Sequence, residues 1–191
     1  MNKQKRAEQL RVEVEACRKC RLCTKAKNKV LGEGNLDAII FLVGEAPGRS
    51  EDEQGRPFVG SSGKLLDKLL QQAKLLRSDV YIGNVVKCRP QGNRRPVREE
   101  VEACASHLTE QLDIIQPKIV APMGNSALGS VFMRYGLPEA VIGEVHGISF
   151  DINTSWGKAK IFSLYHPAAA IYNRKLLNNL EEDMRRLGEL I

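Results

Sequence analysis

Five cysteines offer the plainest chemistry in this chain, and their spacing says more than their number. Cys17, Cys20 and Cys23 fall within one short segment, Cys17-Arg-Lys-Cys20-Arg-Leu-Cys23, whereas Cys88 and Cys104 come much later. The charged Lys3, Lys5 and Arg6 are not followed by an apolar stretch, so the protein is expected to be soluble, unexported and cytoplasmic. In that setting thiols serve metal or redox chemistry more often than disulfides. One local and one distant pair of thiols can close a four-thiolate site. A structural zinc ion and an iron–sulfur cluster both suit such a site, and spacing alone leaves both open.

Three further features have the residue types of a binding or catalytic site: the loop Gly44-Glu45-Ala46-Pro47-Gly48, Asn84 and His166. The elements that must position them follow from periodicity. Ala38–Val43 is continuous, apolar and rich in branched residues, as in a strand buried on both faces of a parallel sheet. It ends at Gly44. After a polar loop, Ser62 is placed to cap a helix presenting Leu65, Leu66, Leu69 and Leu70 on one face. A second strand starts at Val80-Tyr81-Ile82 and runs through Val85-Val86, and a loop rich in Arg, Pro and Gly leads to a helix over Arg98–Ile115. Ile119–Pro122 makes a third strand, with Gly124-Asn125-Ser126 opening the next helix. Lys160–Leu164 makes a fourth, before His166-Pro167 and a last helix over Leu176–Leu190. An amphipathic helix over Gln4–Ala16 delivers Cys17, and Val141–Ile152 is read as an extra hairpin. The expected fold is α/β, a three-layer αβα sandwich around a central, mainly parallel four-stranded sheet. Residues 1–191 are expected to form a single domain, with residues 1–23 as an N-terminal helix and cluster-binding segment. In such folds the ligand site lies beyond the carboxyl ends of the strands, where all three features fall.

Gly44-Glu45-Ala46-Pro47-Gly48, Gly55-Arg56-Pro57-Phe58-Val59-Gly60, Asn84-Val85-Val86-Lys87-Cys88-Arg89-Pro90 and His166-Pro167-Ala168, in this order, closely resemble the uracil-DNA glycosylases that carry a 4Fe-4S cluster, the fourth family of their superfamily. The match runs from Cys17 to about Arg174. The resemblance implies an enzyme that flips uracil out of DNA and hydrolyses its N-glycosidic bond, initiating base-excision repair. It implies Cys17, Cys20, Cys88 and Cys104 as ligands of a 4Fe-4S cluster, with Cys23 left over. Gly44, Glu45 and Ala46 would border the uracil, Phe58 would stack on it, and the Asn84 amide would meet O4 with its nitrogen and N3–H with its oxygen. His166 would donate to uracil O2 as negative charge leaves with the base, a role typically worth ~3–4 kcal/mol.

Ala46 stands where the best-known members of the superfamily have a water-assisting aspartate, so a simple general base is absent there. Glu45 is expected to serve the pocket mainly through its backbone, while Glu51 or Asp52 is left to position water or steady the sugar cation. Ser61, Ser62, Lys64, Lys87, Arg89, Arg94, Arg95 and Arg174 are candidate DNA contacts, and Ile171 or Tyr172 a candidate wedge.

The formal charge of +6 suits a polyanionic partner without requiring one. The apolar runs are too short to cross a bilayer, so no membrane partner is expected, and uracil-containing DNA is the expected partner of a monomer. The sequence does not reveal sliding-clamp or other repair partners. Asn84, Phe58 and His166 together argue against the competing reading, a non-catalytic nucleic-acid-binding module with a structural metal site. A related uracil binder that crosslinks to DNA through an inserted loop is disfavoured because no basic insertion precedes His166.

Overall fold

The computed structural model describes residues 2–191. Six strands form one mixed sheet: β1 (Glu33–Gly34), β2 (Ile40–Gly44), β3 (Tyr81–Asn84), β4 (Ile119–Pro122), β5 (Ser149–Thr154) and β6 (Gly157–Phe162), in the order β1-β3-β2-β4-β6-β5. The pairs β3–β2, β2–β4 and β4–β6 are parallel, and these four strands are those expected from the sequence. The expected four-stranded count is corrected by an antiparallel strand at each edge. β1 has two residues, too few for any periodicity to be read. The expected hairpin over Val141–Ile152 is also displaced: Ile142–Val145 forms a helical turn (α6), and the hairpin is Ser149–Phe162. Its outer strand is mostly polar, as suits an edge with one face in water.

The inner strands are buried on both faces. In β2, Ile40 and Leu42 join one apolar cluster and Phe41 and Val43 the other, the period-2 alternation of a strand with a core on each side. Helices α1 (Lys3–Ala16), α4 (Arg98–Ile115) and α5 (Asn125–Arg134) cover the cluster of Phe41 and Val43 with Leu10, Val14, Leu108, Leu112, Leu128 and Val131. Helices α3 (Ser61–Gln72) and α8 (Arg174–Glu189) cover the other with Leu66, Leu69, Leu70, Leu180, Met184 and Leu187.

Two local expectations fail. Residues Arg49–Gln54, read as polar loop, form a helix (α2), because a surface helix this short need not show an apolar stripe. Helix α3 begins at Ser61 with Gly60 at its N-cap, so Ser62 lies within the first turn and caps nothing. A further short helix, α7 (Pro167–Ala170), follows His166. No helix among the described residues is long and apolar enough to cross a membrane.

Phe41 is fully buried and meets the Tyr81 ring edge-on at 4.9 Å. Phe41→Ala should therefore destabilise the fold by about 3–5 kcal/mol, read as a fall in the urea midpoint with little change in the slope.

Candidate active site and thiol cavity

Parallel pairing sets Gly44 opposite Asn84 at the carboxyl ends of β2 and β3. Pairing continues past the strands, with Val85 N–H donating to Gly44 O (2.9 Å) and Val86 N–H to Glu45 O (3.1 Å). On the other side of β2, a parallel bridge joins Met123 to Leu164, which brings the chain to His166. The Gly44 loop, Asn84 and His166 thus gather at one end of the sheet, as the sequence led one to expect.

Asn84 is buried, 2% exposed, yet its side-chain amide makes no hydrogen bond to any described residue. It lies against Gly44: a Cβ there would meet Asn84 Oδ1 at 2.3 Å and the Phe58 ring at 2.8 Å. Only glycine admits both neighbours. Phe58 has φ +50°, a left-handed conformation unusual for an aromatic residue. Its carbonyl packs on Gly63, where a Cβ would fall 1.8 Å from Phe58 O. The buried ring lies 5.7 Å from the His166 ring, the planes tilted by 33°.

His166 is the N-cap of α7, and its Nδ1 accepts from Ala168 N–H at 3.1 Å. An accepting Nδ1 carries no proton, so the neutral ring holds its proton on Nε2 as a donor. Burial lowers its pKa to about 4, with Glu51 opposing the shift. The ring is therefore neutral near pH 7. It borders a cleft of about 420 Å³ with Glu45, Ala46, Gly48, Arg94 and Tyr165, ample for a small planar ligand.

The nearby carboxylates differ in how they are engaged. Glu51 Oε2 accepts from Gly48 N–H (3.1 Å), and Oε1 from Val59 N–H (2.9 Å) and Gly60 N–H (2.8 Å). It clamps the Gly44–Gly48 loop to the segment carrying Phe58. Asp52 is buried, and its Oδ1 accepts from Lys27 N–H (2.9 Å) and Asn28 N–H (3.2 Å), which makes it a tie to the N-terminal segment. Glu45 borders the cleft, and its carboxylate has no hydrogen-bond partner among the described residues.

All five cysteines border one small cavity, whose other walls include Val14, Leu22, Val86 and His107. None is in a disulfide. Burial and the neighbouring Cys104, Cys20 and Cys23 push the Cys88 thiol up to about 12, and burial raises Cys104 as well. His107, which sequence reasoning passed over, is buried and places Nε2 3.4 Å from Cys17 Sγ. Among the described residues, no three Cys, His, Asp or Glu side chains converge tightly enough to hold a single metal ion. Thiols lining one cavity are a donor set that suits an iron–sulfur cluster as well as a structural metal ion.

Of the candidate DNA contacts, Ser61 and Lys64 are exposed at the start of α3 and Ser62 is half-buried there. Arg174 is exposed at the start of α8 and Arg89 is half-buried, its Nε donating to Asn93 Oδ1 at 2.8 Å. Arg94 is pinned by two bonds to buried Glu100 (2.8 and 2.7 Å), and Arg95 is exposed. Tyr172 is 95% exposed, Ile171 half-buried. Lys87 is a correction. It is fully buried, because its side chain turns inward to Asn84 O and Gln111 Oε1, and it cannot touch DNA.

Sheet order, the end-of-sheet cleft and the motif loops together define a class. Residues 31–187 match the uracil DNA glycosylase superfamily, and the chain belongs to it. Within it, the chain falls among the type-4 enzymes. It is 45% identical to the type-4 uracil-DNA glycosylase of Archaeoglobus fulgidus, covering 93% of this chain and 89% of that one. Identity to the type-4 uracil-DNA glycosylase of Thermotoga maritima is 42%, over 91% and 84% of the two chains. A type-5 uracil-DNA glycosylase of Pyrobaculum aerophilum is 32% identical, over 80% and 72%.

The His166 geometry is checked by NMR of ring-labelled protein, which should show the Nε2-protonated neutral tautomer at pH 7 and a pKa near 4. Folding lowers this pKa from 6.5, so the folded state binds fewer protons than the unfolded chain between these values. The stability it contributes is complete above pH 6.5 and is lost as pH falls towards 4.

Proposed function

We propose that this chain excises uracil from DNA, drawing the flipped nucleotide into the cleft and hydrolysing the bond between uracil N1 and C1′ of the sugar. The observation that carries this reading is the meeting of three groups at the Gly44 end of the sheet: an unengaged Asn84 amide, the Phe58 ring and a neutral His166 with its proton on Nε2. The names of the relatives, uracil-DNA glycosylases of types 4 and 5, support it.

Uracil stacks on Phe58, and the Asn84 amide donates to O4 and accepts from N3–H, a pattern that cytosine reverses. As the glycosidic bond breaks, the bonding electrons leave with the base and His166 Nε2–H donates to O2. A neutral donor suits this task because it stabilises the leaving anion without first losing a proton to it. Ala46 has no group to orient water. Glu51 has spent both oxygens on backbone amides, so we assign it to holding the pocket together, in place of the water-positioning role considered from sequence. Glu45 remains to orient the water that adds to C1′ or to steady the positive sugar.

Cys17, Cys20, Cys88 and Cys104 would hold a 4Fe-4S cluster, with Cys23 a bystander on the cavity wall. The cluster would supply a covalent tie between the N-terminal segment, the loop after β3 and α4. Phosphates of the strand would meet Lys64, Arg89, Arg174 and the first-turn amides of α3 at Ser61 and Ser62, with Tyr172 as the wedge. The chain is read as one domain acting as a monomer in the cytoplasm.

The test is single-turnover release of uracil from a single-stranded oligonucleotide. The parent protein should release it, and Asn84→Asp should be slower by about tenfold or more, because a carboxylate confronts O4 with lone pairs. No release by the parent overturns the function, while an unimpaired variant removes Asn84 from base reading. Anaerobically purified protein should be brown and carry about four iron and four sulfide per chain. Colourless protein with stoichiometric zinc would overturn the cluster assignment.

A further inference from the structure

We infer that Lys87 is a positioning residue for the base-reading asparagine, fixing the Asn84 amide from beneath without touching substrate. The inference rests on the reading of Asn84 given above. Lys87 is 1% exposed, and its ammonium donates to Asn84 O at 2.6 Å and to Gln111 Oε1. Gln111, 1% exposed on α4, is itself fixed, since its Nε2 donates to Leu31 O (2.8 Å) and to the Tyr81 hydroxyl (3.2 Å). Lys87 is also held through its own backbone, where its carbonyl accepts from Val30 N–H at 2.7 Å.

The consequence falls on one peptide unit. The Asn84–Val85 peptide has its N–H bonded to Gly44 O and its C=O bonded to the Lys87 ammonium. Bonds at both ends of a planar unit fix its rotation about the chain axis. That rotation sets the direction of the Asn84 Cα–Cβ bond. The side-chain amide has no bond of its own to hold it and is flanked by Gly44 and Phe58. Its aim depends on the backbone. Pairing between β2 and β3 supplies the N–H half of the grip, and where the strand pairing ends the buried ammonium supplies the C=O half. A charged donor bonds a carbonyl roughly twice as strongly as a neutral one, which gives a function to a cation otherwise costly to bury.

The test compares Lys87→Met, which keeps the length and apolar stem but removes the donors, with Lys87→Gln, which retains an amide donor. Each is made in the parent and in an Asn84→Ala background. Lys87→Met should slow single-turnover uracil excision at saturating DNA by about tenfold, the scale of leaving a buried carbonyl unpaired. It should weaken inhibition by free uracil by a similar factor, leave affinity for an abasic-site oligonucleotide unchanged, and leave visible absorbance and iron content at parent levels. Lys87→Gln should recover part of the loss. In the Asn84→Ala background, Lys87→Met should have no further effect on excision, since a residue acting through Asn84 has nothing left to act on. Full additivity in this cycle overturns the proposal, as do parent rates in Lys87→Met or failure of both variants to fold. If Asn84→Ala alone left excision unchanged, the reading of Asn84 itself would fail instead.

Discussion

The parallel pairing of β2 with β3 is the contact on which the site depends. It sets Gly44 beside Asn84, and the two hydrogen bonds beyond it, from Val85 to Gly44 and from Val86 to Glu45, carry the same register into the loops. Because side chains alternate across a strand, a slip of one residue would turn Asn84 to the opposite face of the sheet. Apolar residues of β2 fill a core on both faces, which anchors the strand that carries Gly44.

Two carboxylates then tie the loops to this frame by the same device. Glu51 and Glu100 each occupy the third position of a helix, in α2 and α4, and each accepts from the N-cap backbone N–H, Gly48 or Val97. Each also reaches a second segment. Glu51 takes the amides of Val59 and Gly60, while Glu100 takes the guanidinium groups of Arg21 and Arg94 and is held down to about 2, chiefly by Arg94. Glu100 thereby joins the cysteine segment to the loop that follows Cys88. Glu100 is buried, and a buried carboxylate bonded on several sides is costly to leave unpaired, so its loop is held by a penalty for leaving as much as by an attraction for staying.

The central strands and α4 were legible because long, strongly periodic segments announce themselves: α4 spans Arg98–Ile115 and β4 Ile119–Pro122, as read from sequence. The gathering of Gly44, Asn84 and His166 was legible because βα order puts such loops at one end of a parallel sheet. What escaped had no local signal. β1 is too short and β5 too polar to stand out, and α2 lacks an apolar stripe. Lys87 read as a surface cation beside Arg89, since nothing in Val86-Lys87-Cys88 reveals that Gln111 and the Asn84 carbonyl lie within its reach. The place of His107 against Cys17 depends on α1 packing along α4, a contact between segments ninety residues apart in the chain. The hydroxyl of Ser163, buried with no partner, has no explanation in the surrounding structure.

Phe58 and Gly63 show how a site can depend on a residue that never approaches ligand. The left-handed backbone of Phe58 brings its carbonyl against the first turn of α3, where only a hydrogen at position 63 leaves room. An aromatic face at 58 and a glycine at 63 are therefore one hereditary unit. A lineage that drifts to any side chain at 63 must give up the backbone turn at 58, and then retaining the phenylalanine brings it nothing. Selection on a base-stacking ring would thus be recorded as strongly in a mute position of a helix as in the ring itself.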